Sequence, residues 1–509
     1  MITVELTAAI DSSGTLQTFY LSEAGYTTLA SDVPSNISFE SRLIDPGTIG
    51  ITAFSDGKTG GASQIQTGEI TIANTDGGLD AWINYSFDGR PVIIKTGDPS
   101  AAYSTYTNVL YGTVDSIEVD WDKIIIRLKD KQFRLQKPVL TTVYLGNNSL
   151  PNGLEGTATD LLGKVKPKTY GQVFNVSPPL VNTSRLIYEV GVCNSVDAVY
   201  SRGNALTKGA DYTSQSDMET NAPTSGQYRT WPGGGYFRIN YTLDGLITAD
   251  VTAGSNAAAR TAAQLYNQFA LASGLLTSEI SSSDVSALDT LNSAVCGIWI
   301  NDNTTTFEAA ITSVLSSVGG WFGFDYTGTL RVGRLTDPFN VTPGTTLQLM
   351  DLGETITRKV PSDNGIPTWQ VNLNYQKIFT TQTSDIAGAA LAIAGRQGYL
   401  ANQFRTYTSA DSTILTQWQQ SVPLNRDTLL TTLADATTEA NRLLTLYKVR
   451  RDMWEVTIDL SVFTANQMKL MDIAILQVPR YGMTYGKSFR IIGYAITLLT
   501  SKVVLTLWG

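Results

Sequence analysis

The chain has 509 residues, with 36 Lys and Arg against 45 Asp and Glu, a net charge of −9 and no histidine. The missing histidine removes His-based triads, His general bases and the commonest metal ligand. Two cysteines, Cys193 and Cys296, make neither a four-thiolate metal site nor a disulfide framework, and the acidic balance argues against a nucleic-acid-binding protein.

The chain opens on Met1-Ile2-Thr3-Val4-Glu5, with neither a basic n-region nor an apolar h-region, so no signal peptide is expected. Residues 1–140 read as strands and turns. Gly68-Glu69-Ile70-Thr71-Ile72 alternates, and Asn74-Thr75-Asp76-Gly77-Gly78 breaks the pattern. Tyr85-Ser86-Phe87 meets Asp88-Gly89, a favoured hairpin pair, before Val92-Ile93-Ile94. A second hairpin is predicted with Ile117, Val119 and Trp121 on one face, a turn near Asp122-Lys123, and Ile124, Ile126 and Leu128 returning. The expectation is a closed or nearly closed antiparallel sheet.

Strands continue over 141–254. Phe237, Ile239, Tyr241 and Leu243 alternate up to Asp244-Gly245, and Ile247, Ala249 and Val251 come back, predicting another Asp-Gly hairpin. The period changes at Asn256. Ala262, Leu265, Phe269 and Ala272 recur at helical steps until Gly274. Thr305-Thr306-Phe307-Glu308 is a capping-box pattern, and Phe307, Ile311, Val314, Leu315 and Val318 share one side of the helix it opens. Trp321 to Phe324 and Leu330 to Val332 flank a turn at Thr327-Gly328, so 255–338 is expected to be a small α+β unit.

From 339 to the end the pattern is again β. Trp369, Val371, Leu373 and Tyr375 alternate, as do Trp454, Val456, Ile458 and Leu460. A helix over 428–448 presents Leu433, Ala436, Ala440, Leu443 and Tyr447. Ile473 to Val478, Phe489 to Ile492 and Val503 to Leu507 complete the strands. Gly112-Thr113-Val114 and Gly493-Tyr494-Ala495, each beside a hairpin, form a short echo between the two ends. The small-apolar run Ile386 to Ala394 is too short to span a bilayer. The protein is expected to be soluble and made in a cytoplasm, with both cysteines as small buried hydrophobes in a reducing compartment.

The densest carboxylate group is Asp115, Glu118, Asp120 and Asp122. A metal or glycosidase site would need such groups to converge across a cleft. Glu118, Asp120 and Asp122 instead share a parity opposite the apolar residues, as on a solvated or lumen-facing strand. Trp231-Pro232-Gly233-Gly234-Gly235 lacks the Lys-Ser/Thr of a phosphate loop and reads as a turn. Lys164, Lys166 and Lys168 could touch phosphate, but around a proline they more often make an exposed or ion-pairing loop. A Ser–Lys dyad needs no His, yet no spacing singles one out. No catalytic, cofactor or metal residue is assigned.

Several segments resemble one family. Gly68-Glu-Ile-Thr-Ile-Ala-Asn-Thr-Asp-Gly-Gly-Leu-Asp80, Phe87-Asp-Gly-Arg-Pro91 and Tyr111-Gly-Thr-Val114 resemble the N-terminal domain of baseplate hub proteins of long-tailed bacteriophages, to which gene transfer agent hubs are related. Lys166-Pro-Lys-Thr-Tyr-Gly-Gln-Val-Phe-Asn-Val-Ser-Pro178 with Ile187-Tyr188 looks like the next domain, and Tyr485-Gly-Lys-Ser-Phe-Arg-Ile-Ile492 to Leu505-Thr-Leu-Trp-Gly509 like the last. The resemblance implies a mainly β, multidomain chain with α+β insertions: a tube-like antiparallel β-barrel domain over 1–140, a β-rich hub domain over 141–254, the small α+β domain over 255–338, and a C-terminal β domain with one long helix over 339–509 that completes a second tube-like unit. It further implies a homotrimer at the virion tail tip. There the ring would continue the tail tube and meet the distal tail protein, the tail tube or tape measure protein and the central tail fibre. DNA would pass through without specific binding, along a lumen that Glu118, Asp120 and Asp122 could face. A receptor-binding tail adhesin, or a cell-wall hydrolase, is the alternative.

Overall fold

The computed structural model describes residues 1–54, 61–129, 131–241, 245–340, 344–359 and 365–509, and the chain is mainly β with a minority of helix. Alternation builds the first sheet. Val4 and Leu6 of Ile2–Ala9, Val92 and Ile94 of Pro91–Thr96, Ile124 and Ile126 of Lys123–Lys129, and Ile70 and Ile72 of Glu69–Ala73 are all fully buried, as one face of a pleated sheet requires. The strand order is Tyr26–Thr27, Ser38–Ser41, Leu16–Ser22, Ile2–Ala9, Pro91–Thr96, Thr107–Val119, Lys123–Lys129, Glu69–Ala73, Leu43–Asp45. Ser38–Ser41 near one end and Leu43–Asp45 at the other are separated in sequence by Arg42 alone. The sheet therefore curls until its ends meet, giving a nearly closed barrel.

Beyond Asp45 the chain leaves this barrel. Thr48–Thr52 pairs antiparallel with Lys487–Thr497, with Thr48 opposite Thr497 and Thr52 opposite Gly493. It also pairs with Gln64–Thr67, which runs straight into Glu69–Ala73 of the barrel. One long hairpin thus lends its base to the first sheet and its outer half to the second. The crossing lies at Gly47, whose φ is +84°, and at Gly68, where a Cβ would stand 2.6 Å from the Thr48 amide nitrogen.

The second sheet runs Thr345–Gln348, Ile473–Gln477, Lys487–Thr497, Lys502–Trp508, Met453–Asp459, Leu352–Lys359, the last of these an edge strand. The two sheets share one core, in which Ile49, Ile51, Ile70 and Val92 pack in a continuous cluster with Val456, Ile491, Ile496 and Leu505. The longest strand of each carries a register shift, at Val114/Ser116 and at Ile491/Gly493, and Gly112 and Gly493 of the sequence echo lie on these two strands.

Between these ends, two five-stranded sheets pack through Val173, Val196, Val199, Phe237, Ile239 and Val251. Helices Ala262–Ala272 and Phe307–Ser316, capped by Thr261 and Thr306, pack with Ser282–Leu291 against the hairpin Gly320–Phe324 and Leu330–Arg334. The same core takes in Leu433–Tyr447 and the strand Gln370–Tyr375. Among the described residues no helix is long and apolar enough to cross a membrane.

Several local expectations are corrected. Asp88-Gly89 does turn, with Arg90 N–H donating to Phe87 O at 2.9 Å, but its flanks do not pair. Pro91–Thr96 joins Ile2–Ala9 and Thr107–Val119, and Ser86 bridges Ala9. Phe87 instead packs on Trp82, centroids 5.0 Å apart, beside Phe19, so burial of the ring decides the path. Residues 242–244 of the other Asp-Gly turn lie outside the described residues. Its flanks belong to different sheets: Tyr236–Ile239 pairs with Ile187–Glu189 and Gln227–Trp231, and Ile247–Thr252 with Lys168–Val176 and Ser195–Ser201. At the 307–316 helix the cap is Thr306, accepting from Ala309 N, while Glu308 accepts from Gln132 Nε2 at 2.7 Å, so no reciprocal box forms. Leu460 opens a helix, Leu460–Ala465, after the strand Met453–Asp459.

Candidate functional site

The three singled-out carboxylates sit on the hairpin of Thr107–Val119 and Lys123–Lys129. Glu118 lies opposite Ile125 and faces solvent, where its Oε2 accepts from Arg127 Nη2 at 2.9 Å. Arg127 Nε in turn donates to Glu69 Oε1 at 3.0 Å. Asp115 pairs with Lys129 at 3.1 Å, and Asp120 stands 3.8 Å from Lys123. Asp122 has no ion pair among the described residues. Four carboxylates thus meet three cations along one exposed strip with Asp122 beside them, so the strip stays acidic but is largely paired. The structure brings the strip together from three strands, and Arg127 and Glu69 are partners that local parity does not reveal.

The apex of this hairpin departs from expectation. Trp121 was placed on the apolar face with Ile117 and Val119, yet it is 95% exposed and Val119 is exposed as well. The strand outruns the barrel core at this end, so the face that buries Ile124 and Ile126 has nothing to cover Trp121. Further carboxylates surround the apex. Asn74 donates its N–H to Asp122 O and its Nδ2 to Asp80 Oδ1, and Arg42 holds Asp76 through two 2.8 Å hydrogen bonds and Glu40 at 2.6 Å. Pairing with Arg42 holds the Asp76 carboxyl well below its ordinary range.

An opposite surface lies on the second sheet. Asp452 collects Arg358 at 2.6 Å, Arg450 at 3.6 Å and Lys487 at 3.7 Å, three cations on one carboxylate. Together with Ile356, Trp454 and Tyr481, Arg358, Arg450 and Asp452 line a groove of about 360 Å³. Burial, with Arg451 and Arg358 as like-charged neighbours, pushes the Lys487 ammonium down, opposed by Asp452. Trp454 is 4% exposed and its indole N–H has no hydrogen-bond partner. Tyr481, 58% exposed, packs on Trp454 with centroids 5.1 Å apart. The sequence signal for this groove is the run Arg450, Asp452 and Trp454; Ile356, Arg358 and Tyr481 come from elsewhere in the chain. Of the lysines singled out, Lys166 pairs with Glu155. Trp231 to Gly235 is a turn, with the amides of Gly234 and Gly235 donating to Trp231 O.

Buried carboxylates are engaged internally. Glu189 accepts from Tyr144 Oη at 2.7 Å, and burial pushes its pKa up to about 6. It does not line the neighbouring polar cleft of about 480 Å³, which Tyr144, Lys164 and Asp302 border. A cavity of about 420 Å³ lies between the α+β hairpin and the second sheet. In it Arg331 pairs with Asp284 and Asp325, and Arg490 donates to Met471 O and Thr336 Oγ1. Among the described residues no group of three or more Cys, Asp or Glu is placed to hold a metal ion. Cys193 and Cys296 are free thiols, both buried, which pushes their pKa values up.

Comparison with known proteins yields structural likeness alone. No family model matches the chain, and no curated protein does. Among solved structures, the 43 kDa tail protein of prophage MuSo2 from Shewanella oneidensis is 12% identical with a TM-score of 0.42, over 99% of this chain and 98% of that one. The tail protein from Neisseria meningitidis MC58 is 9% identical with a TM-score of 0.42, over 100% and 96%. A chain of the virion of the native gene transfer agent particle is 12% identical with a TM-score of 0.43, over 68% and 84%. With so few shared identities and such scores, function has to be read from the chain's own residues.

Proposed function

We propose that the chain is a structural, non-catalytic hub subunit of a phage tail tip. Three copies form a ring that continues the tail tube, joins the distal tail protein to the central fibre or tip, and lets DNA pass during ejection. The observation that carries this reading is the shared hairpin: two β units from opposite ends of the sequence are fused through Thr48–Thr52 and Gln64–Thr67 into one wall with one core. Three such pairs make a ring of six units. Several of the segments that resemble phage hubs lie in this wall, while Lys166 to Pro178 and Ile187-Tyr188 fall in the five-stranded sheets between its two halves. Gly68 to Ala73 is where the chain crosses between sheets, Tyr111 to Val114 lies on the long strand of the first, and Lys487–Thr497 with Lys502–Trp508 closes the second.

On this reading 1–140 and 339–509 hold the tube-like units, 141–254 is the β-rich hub domain, and 255–338 is the small α+β domain. The strip of Glu118, Asp120 and Asp122 faces the channel, where its residual negative charge repels phosphates. Electron microscopy of virions carrying a labelled chain tests the proposal. A three-fold ring at the tail tip is expected, and a monomer absent from virions overturns it. The adhesin reading would instead require the isolated chain to bind host cells.

A further inference from the structure

The hub reading leaves open how one copy grips the next. In a ring whose subunits each contribute two fused β units, the first unit of one copy must abut the second unit of its neighbour. Each of these two sheets carries an exposed surface with an excess of one charge, and the two excesses are of opposite sign.

On the first sheet, the hairpin apex projects Trp121 almost wholly into solvent, flanked by Asp120 and Asp122. Behind it, Asn74 ties the Asp122 backbone to Asp80, and Arg42, bound to Ala73 O, holds Asp76 and Glu40, so five carboxylates stand against Arg42 and Lys123 and this end of the sheet is acidic. On the second sheet, the groove lined by Ile356, Arg358, Arg450, Asp452, Trp454 and Tyr481 sets three cations, Arg358, Arg450 and Lys487, against the single carboxylate of Asp452, an excess of positive charge in a protein of net charge −9. Tyr481 adds an exposed ring, and the strand Leu352–Lys359, which carries Ile356 and Arg358, is an edge of its sheet. Within one chain no hydrogen bond or ion pair among the described residues joins the apex to the groove.

We infer that the Trp121 apex of one copy seats in the Arg358–Arg450–Trp454–Tyr481 groove of the next, a head-to-tail contact between copies of this chain. Trp121 supplies the buried aromatic anchor against the exposed ring of Tyr481, and the carboxylates beside it join Asp452 in meeting Arg358 and Arg450. The same patches do not face each other across a two-fold axis, so the contact is heterologous and propagates around a ring until it closes. The inference rests on the hub reading for the ring, and on this chain's own charges for the contact. This contact turns Asp120 and Asp122 from the channel towards the neighbouring copy, so of the three carboxylates only Glu118 keeps the channel-facing place that the hub reading gives them.

The test uses the full chain, sedimentation velocity across protein concentration at low and high salt, and oxidative footprinting of Trp121. The wild-type chain should assemble with Trp121 protected from oxidation. Trp121→Ala should raise the dissociation constant at least about tenfold. Asp122→Lys and Arg450→Glu should each weaken assembly, and the double variant Asp122→Lys with Arg450→Glu should recover a substantial part of it, because the reversed charges again attract. That recovery separates a lost contact from a misfolded chain. A wild-type chain that stays monomeric at low salt overturns the inference. So does assembly in which Trp121 oxidises freely, or an Arg450→Glu chain that self-assembles normally while losing the distal tail protein or an acidic peptide. Rings at the tail tip with Trp121 exposed would sink this contact and leave the hub reading standing. Self-assembly through Trp121 by a chain absent from virions would do the reverse.

Discussion

Gly68 is the residue at which the two sheets are most exposed to a single added atom. A Cβ there would lie 2.6 Å from Thr48 N and 2.9 Å from Thr48 O, both backbone atoms inside the crossing hairpin. The obstruction cannot be relieved by a rotamer change. Gly68→Ala must push the two arms of the hairpin apart, at an overpacking cost of about 1–3 kcal/mol. It also strains the Gly68 N–H···O bond to Thr48, 2.6 Å long, which is worth about 1 kcal/mol. The expected loss is therefore about 2–4 kcal/mol, felt in both sheets because the hairpin serves both. Hydrogen exchange reads this directly: amides in Thr48–Thr52 and in Lys487–Thr497 should together lose protection by about thirtyfold or more. Gly388→Ala is the control, since no atom lies within 4 Å of its added Cβ and its φ is ordinary; alanine also favours the helix Gly388–Leu391. If Gly68→Ala exchanges like wild type in both strands, the shared hairpin is not what fuses the sheets.

Three further outcomes are expected. Burial raises the Glu189 pKa from 4.5 to about 6, so its contribution favours the folded state below about pH 4.5 and is lost as pH rises through 6; the change amounts to about 2 kcal/mol. Glu189→Gln, which still accepts from Tyr144, should remove that part of the pH dependence of urea unfolding, and an unchanged pH profile would refute it. Cys193 and Cys296 should resist a thiol reagent in the native chain and react fully in denaturant, because both are buried and Cys193 is pushed up to about 12. Phe269→Ala should destabilise the α+β core by about 3–5 kcal/mol, measured by urea unfolding, since Phe269 is fully buried against Tyr170 with centroids 4.4 Å apart.

Local pattern carried much of this fold and little of its connectivity. The alternation at Ile70 and Ile72, at Val371 and Leu373, and at Val503 and Leu505 found real strands, because one buried face imposes a period of two. The Thr-rich start of the Phe307–Ser316 helix was similarly readable, since orphan amides at a helix start need local acceptors, though as a reciprocal box that does not form, and the Thr261 cap was not read. Turn chemistry was over-read. Asp88-Gly89 specifies a reversal of the chain, not that the segments on either side pair, and there long-range burial of Phe87 prevailed. The acidic strip was visible as a run of carboxylates, whereas its charge depends on Arg127 and Lys129 from the returning strand. One window holds Arg450, Asp452 and Trp454, but not the groove, for Arg358 and Asp452 meet only when two distant strands become neighbours.

The crossing hairpin also sets a timetable for synthesis. Thr48–Thr52 emerges early, but its partner Lys487–Thr497 is made roughly 430 residues later, which at 5–20 residues per second is between about 20 and 90 seconds. Throughout that interval the nascent barrel displays an apolar strand paired on one side by Gln64–Thr67, with Ile49 and Ile51 uncovered and the edge that Lys487–Thr497 will take unpaired. The end of the chain therefore closes a seam opened at its beginning. The hazard lies in the wait itself, during which a second nascent copy can supply the missing strand in place of the chain's own.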